Sequence, residues 1–224
     1  MTTNRYGVIF DLDGVLWDTS EIHEWAFQKM FAEFDIAIKF RYESIAGMST
    51  RGAINKLLSE NILTITVPGI EELARVKQKL AHQRIREYMP IFNDTLYLLK
   101  GLQSKGIRYS IASSTSAKNL RLFVDHLFQN GLAPENYLSG DEVMAAKPNP
   151  EIYIKSKNLM SSNVTKFIVV EDSKNGIEAA LSAGCEVIVI CNTQNEIEDP
   201  EKLLDVADNR VELLNKLISY CNRV

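Results

Sequence analysis

Five short runs of β-branched and apolar residues, each closed by a polar or turn residue, constrain this 224-residue chain most strongly. They are Gly7–Phe10, Ile107–Ser113, Tyr137–Ser139, Phe167–Glu171 and Val187–Ile190. Runs this brief and apolar suit strands buried on both faces, as in a parallel sheet. Stretches of helical period lie between them. Leu96, Leu99 and Leu102 recur before Gly106, Leu120, Phe123, Val124 and Leu127 before Gly131, and Ile177, Ala180 and Leu181 before Gly184. The alternation predicts right-handed crossovers and an α/β fold, a Rossmann-like doubly wound parallel sheet.

One stretch breaks the pattern. From about Thr19 to Tyr88 helix periodicity has no rival: Trp25, Phe27, Met30, Phe31 and Phe34 mark one helix, Ile54, Leu57 and Leu58 a second, and Leu73, Val76, Leu80 and Ile85 a third. Pro90 ends the run. The expected division is an α/β core of residues 1–17 plus 94–224 and an inserted helical cap domain of residues 18–93. The crossings near Trp17–Ser20 and Met89–Asn93 would act as a hinge. The aromatic stripe of the first helix reads as cap core. The end of the chain, from Glu196 to Val224, reads as an acidic loop and a closing helix carrying Val211, Leu214, Leu217 and Ile218.

Composition narrows the partners. The net charge is −4 and the 25 Lys and Arg are dispersed, which argues against nucleic acid or an anionic membrane. No apolar run approaches the ~20 residues that span a bilayer. Cys185, Cys191 and Cys221 are odd in number and lack metal-ligand spacing, so they read as reduced thiols of a cytoplasmic protein.

Ligands of parallel sheets bind beyond the carboxyl ends of the strands. Asp11-Leu-Asp-Gly14 follows the first predicted strand, Ser113, Ser114 and Thr115 the second, and Glu171 and Asp172 the fourth. Lys147-Pro148 precedes the helix leading into that strand. Four carboxylates, several hydroxyls and one lysine therefore collect on one edge. Two carboxylates ~4 Å apart repel by about 4 kcal/mol at an effective dielectric near 20, so the group needs compensation. Lys147 supplies one positive charge and a divalent cation two; with Asp13 protonated the charges roughly balance. Oxygen ligands without His or Cys point to Mg2+. Asp11 and Asp13 alone could suggest a calcium loop, but Val15 stands where a third oxygen ligand is needed.

Asp11-Leu-Asp-Gly-Val-Leu-Trp-Asp-Thr19 resembles the first motif of the haloacid dehalogenase superfamily. Ser113 after its strand resembles the second, Lys147-Pro-Asn-Pro-Glu-Ile-Tyr153 the third, and Val169-Val-Glu-Asp-Ser-Lys-Asn-Gly-Ile-Glu-Ala-Ala180 the fourth. The helical insertion is similar to the cap of the β-phosphoglucomutase and phosphoglycolate phosphatase branch. The resemblance implies that Asp11 attacks phosphorus to give an aspartyl-phosphate, while Asp13 acts as acid and then base. It implies that Asp11, the main-chain carbonyl of Asp13 and Asp172 hold Mg2+, with Glu171 as ligand or support. Ser113, Ser114 and Lys147 would gather the phosphoryl oxygens.

Within the cap, His23, Gly47 and Arg51 are candidates for substrate contact, although a lone helical His is more often structural and a surface arginine is as good a reading of Arg51. The leading expectation is a monomeric phosphatase acting on a small phosphorylated metabolite, a sugar or polyol phosphate. A sugar-phosphate mutase is the alternative. Ala46 stands where β-phosphoglucomutase has a lysine, and Thr50 where it has an arginine, which weakens the hold on a second phosphate. A phosphoryl-accepting module without turnover is the third reading, and the cap argues against it.

Overall fold

The structure is a computed structural model, and it describes residues 5–60, 62–63, 69–160, 163–190 and 200–222. Six parallel strands form one sheet in the order β3-β2-β1-β4-β5-β6: β1 Tyr6–Phe10, β2 Arg108–Ala112, β3 Tyr137–Leu138, β4 Lys166–Glu171, β5 Glu186–Ile190 and β6 Asp205–Ala207. The five strands expected from the sequence are present, with ends shifted by one residue in most cases. The sixth was not. Asp205-Val-Ala207 is three residues long, half exposed and not strongly apolar. Its conformation comes from pairing with β5, where Ile190 meets Ala207. Cys191 and residues 196–199 of the acidic stretch lie outside the described residues; the closing helix α8 spans Arg210–Cys221.

Side-chain alternation along the strands fills two layers. Val8, Phe10, Ile168, Val170, Ile188 and Ile190 share one cluster with residues of α4 (Thr95–Ser104), α5 (Ala117–Gln129) and α8. Ile9, Val169, Val187 and Val189 point to the other face, against α6 (Glu151–Leu159) and α7 (Lys174–Ser182). Burial on both faces is why these strands read as continuous apolar runs.

Between β1 and α4 run α1 (Ser20–Glu33), α2 (Thr50–Ser59) and α3 (Ile70–Tyr88), which pack around a cluster of their own. Phe27 stacks on Phe31, and Phe40 meets both edge-on, so most of the aromatic stripe is packing. The two crossings pair with each other: Trp17 bridges to Ile91, and the Asp18 amide donates to the Pro90 carbonyl at 2.7 Å.

The order fixes the site. β1 lies between β2 and β4, where the winding reverses, so residues leaving the carboxyl ends of β1 and β4 share a crevice. Asp11 follows β1, and Glu171 and Asp172 close β4.

Candidate active site

Asp11, Glu171 and Asp172 each place a carboxylate oxygen within 4.8 Å of the others. Lys147, reaching in from the loop before α6, donates to Asp11 Oδ1 at 2.6 Å, to Glu171 Oε1 at 2.7 Å and to the Tyr153 hydroxyl at 2.7 Å. Tyr153 in turn donates to Glu171 Oε1 at 2.6 Å. Burial opposes the ammonium charge, but Asp11 and Glu171 outweigh it and hold Lys147 above its ordinary value.

Glu171 is saturated. Its second oxygen accepts from the amides of Asp172 and Ser173 and from the Ser173 hydroxyl. Five donors on about four lone-pair sites leave it no free direction. Burial resists its charge, yet Lys147 and the other donors hold its carboxyl below the ordinary value. Glu171 thus organises Lys147 and the turn after β4 rather than offering a free ligand oxygen. Asp172 is the opposite case: its carboxylate accepts no hydrogen bond among the described residues. Burial first, then Glu171 and Asp11, pushes it well above the ordinary value. Burial likewise raises Asp11, against Lys147. A Cβ at Gly14, where φ is +84°, would overlap the Asp172 carboxylate.

Three carboxylates against one lysine leave two uncompensated negative charges when all are ionised. A bare, half-buried Asp172 beside Asp11 could hold a dication, and the oxygen-only donors of the cluster fit Mg2+.

Asp13 belongs to a separate network, which corrects the four-carboxylate balance. Thr19 Oγ1 donates to its Oδ1 at 2.5 Å, His23 Nε2 lies 3.2 Å from the same oxygen, and Ser113 Oγ donates to Oδ2 at 3.3 Å. Lys77 Nζ sits 3.0 Å from His23 Nδ1. An ammonium can only donate, so Nδ1 accepts and Nε2 carries the proton toward Asp13. Burial opposes ionisation of Asp13, but His23, Thr19 and Lys77 prevail and hold its carboxyl below the ordinary value. The expected protonated Asp13 is thus not the resting state; three donors face an ionised acceptor.

The sequence reading missed Lys77 and Tyr153. Leu73, Lys77, Ala81 and Ile85 fall on one buried stripe of α3, so a lysine inside an apolar repeat was the available signal. Tyr153 was legible only as a neighbour of the Lys147 motif. Burial lowers Lys77 to about 8.

The other candidates divide. His23 and Gly47 line the cavity between the helices and the sheet edge. Ser113 is buried beside Asp13, whereas Ser114 Oγ donates to the Gly47 carbonyl at 2.8 Å and holds the cap loop. Asn175 Nδ2 holds the same loop through Ala46 O at 2.9 Å. Arg51 is not among the residues lining the cavity. It forks onto Glu71 at 2.7 and 2.6 Å on the outer surface, while Thr50 faces inward.

Fold and site together define an α/β protein with a carboxylate–lysine centre at the sheet's switch point. Residues 8–190 match the model of the haloacid dehalogenase-like hydrolases, and the chain belongs to that family. A phosphorylated carbohydrates phosphatase of Thermotoga maritima is 27% identical over 204 residues, 88% of this chain and 89% of that one. The β-phosphoglucomutase of Bacillus subtilis is 27% identical over 222 residues, 93% of each chain. The crystal structure of a β-phosphoglucomutase from Clostridium difficile has a TM-score of 0.76 at 25% identity, covering 96% of each chain.

Proposed function

We propose that this enzyme is a Mg2+-dependent phosphatase of small sugar or polyol phosphates, acting through an aspartyl-phosphate on Asp11. The observation that supports it best is the separation of two networks. Asp11 keeps one oxygen clear of Lys147, while Asp13 accepts from Ser113 and from His23, which Lys77 contacts in turn.

Mg2+, held by Asp11, Asp172 and the Asp13 carbonyl, would polarise the phosphoryl oxygens and screen the incoming dianion. Asp11 attacks phosphorus in line. Lys147 keeps its carboxylate aimed and offers a positive charge to the equatorial oxygens, with Ser113 beside it. An arriving phosphate dianion raises the pKa of Asp13, which then takes up a proton and delivers it to the leaving oxygen. His23 holds Asp13 through its Oδ1. The ionised Asp13 left behind removes a proton from the water that cleaves the acyl phosphate.

Residues 18–93 act as a cap over this chemistry. The space at the centre of the site is narrow, about 50 Å³, which fits helices that swing away to admit a sugar phosphate. The buried, unpaired Cys185 and Cys221 fit a reducing cytoplasm, and a monomer satisfies every feature of the site. No described helix is long and apolar enough to cross a membrane.

Mutase activity is the second reading, favoured by likeness to β-phosphoglucomutases along nearly the whole chain. Against it stands Arg51, engaged with Glu71 and so unavailable for a second phosphate. A panel of phosphorylated metabolites decides between them: release of inorganic phosphate that stops on EDTA supports the phosphatase. Conversion of β-glucose 1-phosphate to glucose 6-phosphate with a bisphosphate primer replaces it.

Two stability predictions follow from the two networks. Saturating Mg2+ at ~100 times its dissociation constant adds about 2.7 kcal/mol, or roughly 5–10 °C in Tm for a chain of this size. Asp172→Asn removes that increment and, by relieving repulsion, leaves the metal-free Tm no lower; a variant still stabilised by Mg2+ in calorimetry contradicts the assignment.

Lys77→Met raises Tm while cutting kcat by about 10–100-fold, because a buried charge is replaced by apolar volume and His23 loses its orienting donor. The pH dependence has a definite sign. With a folded value near 8 against 10.5 unfolded, the unfolded chain binds more protons between those pH values, so stability rises with pH across that window. Lys77→Met lacks this rise. Equal slopes for parent and variant in urea titrations at several pH values would remove the buried charged lysine.

A further inference from the structure

Arg210 opens α8, at the far end of the chain from the catalytic loop. Asn209 caps the helix, its side chain accepting from the amides of Val211 and Glu212. A cation at a helix N-terminus opposes the helix dipole, and this one is only 8% exposed. Such a placement persists only where specific partners offset the cost.

Those partners are the turn that leads into the outgoing crossing and the segment around the return crossing. Arg210 Nε donates to Val15 O at 2.7 Å and Nη2 to Gly14 O at 3.3 Å, both in the turn that begins at Asp13. Its guanidinium lies 3.4 Å from the centre of the Phe92 ring, and Nη1 is 3.8 Å from Asp94 Oδ1. Phe92 lies in the return crossing and Asp94 follows it at the start of α4. One side chain is thus seated against the turn ahead of the outgoing crossing and against the return crossing. The planar fork and flat face of arginine serve both contacts; a lysine could serve only one.

We propose that Arg210 is a positioning residue, one that fixes the Asp13–Gly14 turn and couples it to the return crossing of the cap. It touches no reacting atom. Its effect runs through the orientation of the Gly14 and Val15 peptides, which sets the path of the segment carrying Asp13. Through Phe92 it also sets the position about which the helices pivot. The inference rests on the proposed phosphatase mechanism for its kinetic consequence, but not for its structural one.

The test uses the full-length protein with Arg210→Lys and Arg210→Met, with p-nitrophenyl phosphate as substrate. Hydrogen–deuterium exchange of the metal-free protein is the readout independent of activity. Loss of two charge-assisted hydrogen bonds should speed exchange in residues 14–18 and at Ile91 about tenfold or more, with β1 and the body of α8 still protected. In the folded variants kcat should fall roughly tenfold while KM stays within about twofold, and Lys should rescue little of what Met loses. A lowered Tm with unchanged kcat and unchanged exchange in these segments makes Arg210 purely structural and overturns the proposal, as does no change in any readout. If neither variant folds, Phe92→Leu removes the stacking face alone and is judged by the same exchange and kinetic criteria. A parent with no Mg2+-dependent turnover defeats the functional reading, while the exchange result still decides the coupling.

Discussion

Asp11→Asn is expected to lose turnover by at least about 10⁴-fold, since an amide oxygen cannot form the acyl phosphate and no neighbour can replace it. Asp172 accepts no hydrogen bond among the described residues, and Glu171 is buried and fully engaged. The fold should survive. Removing one of three clustered carboxylates relieves repulsion, which offsets the weakened contact with Lys147; Glu171 and Tyr153 still hold that ammonium. Calorimetry should therefore place the metal-free Tm within a few degrees of the parent. Turnover within tenfold of the parent, with any phosphomonoester, would falsify the nucleophile assignment.

Asp13→Asn should cost about 10²–10⁴-fold, and unevenly. An alkyl phosphate needs its leaving oxygen protonated, so it takes the larger loss. p-Nitrophenolate departs without a proton, so its first step is spared. Breakdown of the acyl phosphate still needs a base, and the intermediate should accumulate. With p-nitrophenyl phosphate the variant should release a burst of nitrophenolate stoichiometric with enzyme, followed by slow turnover. Equal losses on both substrates without a burst would show that Asp13 handles neither proton. Asparagine preserves the acceptor for Thr19 but presents an amide nitrogen where donors converge, so Asp13→Ala is the control for that mismatch.

Much of the site was readable because its residues lie next to strand ends. A strand terminus fixes which edge of the sheet a residue occupies, and motif spacing then places Asp11, Ser113, Glu171 and Asp172 together without knowledge of side-chain rotamers. The same route could not reach Lys77, whose relevance depends on which face of α3 turns inward. Nor could it tell Glu171 from Asp172. Adjacent in sequence and alike in chemistry, they differ because one side chain folds back onto the Ser173 turn while the other is left bare. Arg51 shows the converse. Its position after the cap loop suggested substrate contact, but one residue along a helix rotates a side chain by about 100°, and it faces outward to Glu71.

The layered α/β fold, the helical insertion and the acidic edge were legible along the chain, because apolar periodicity and strand-terminal residues are local signals that survive projection onto one dimension. The division of charge among the acids came from the folded arrangement alone. That arrangement separated Asp13, with His23 and Lys77, from Asp11, Glu171 and Asp172, with Lys147. It also paired the short strand β6 and set Arg210 between the Asp13–Val15 turn and the return crossing. Each depends on contacts between residues far apart in the chain, where a few ångströms of distance change an electrostatic interaction by several kcal/mol in a buried site.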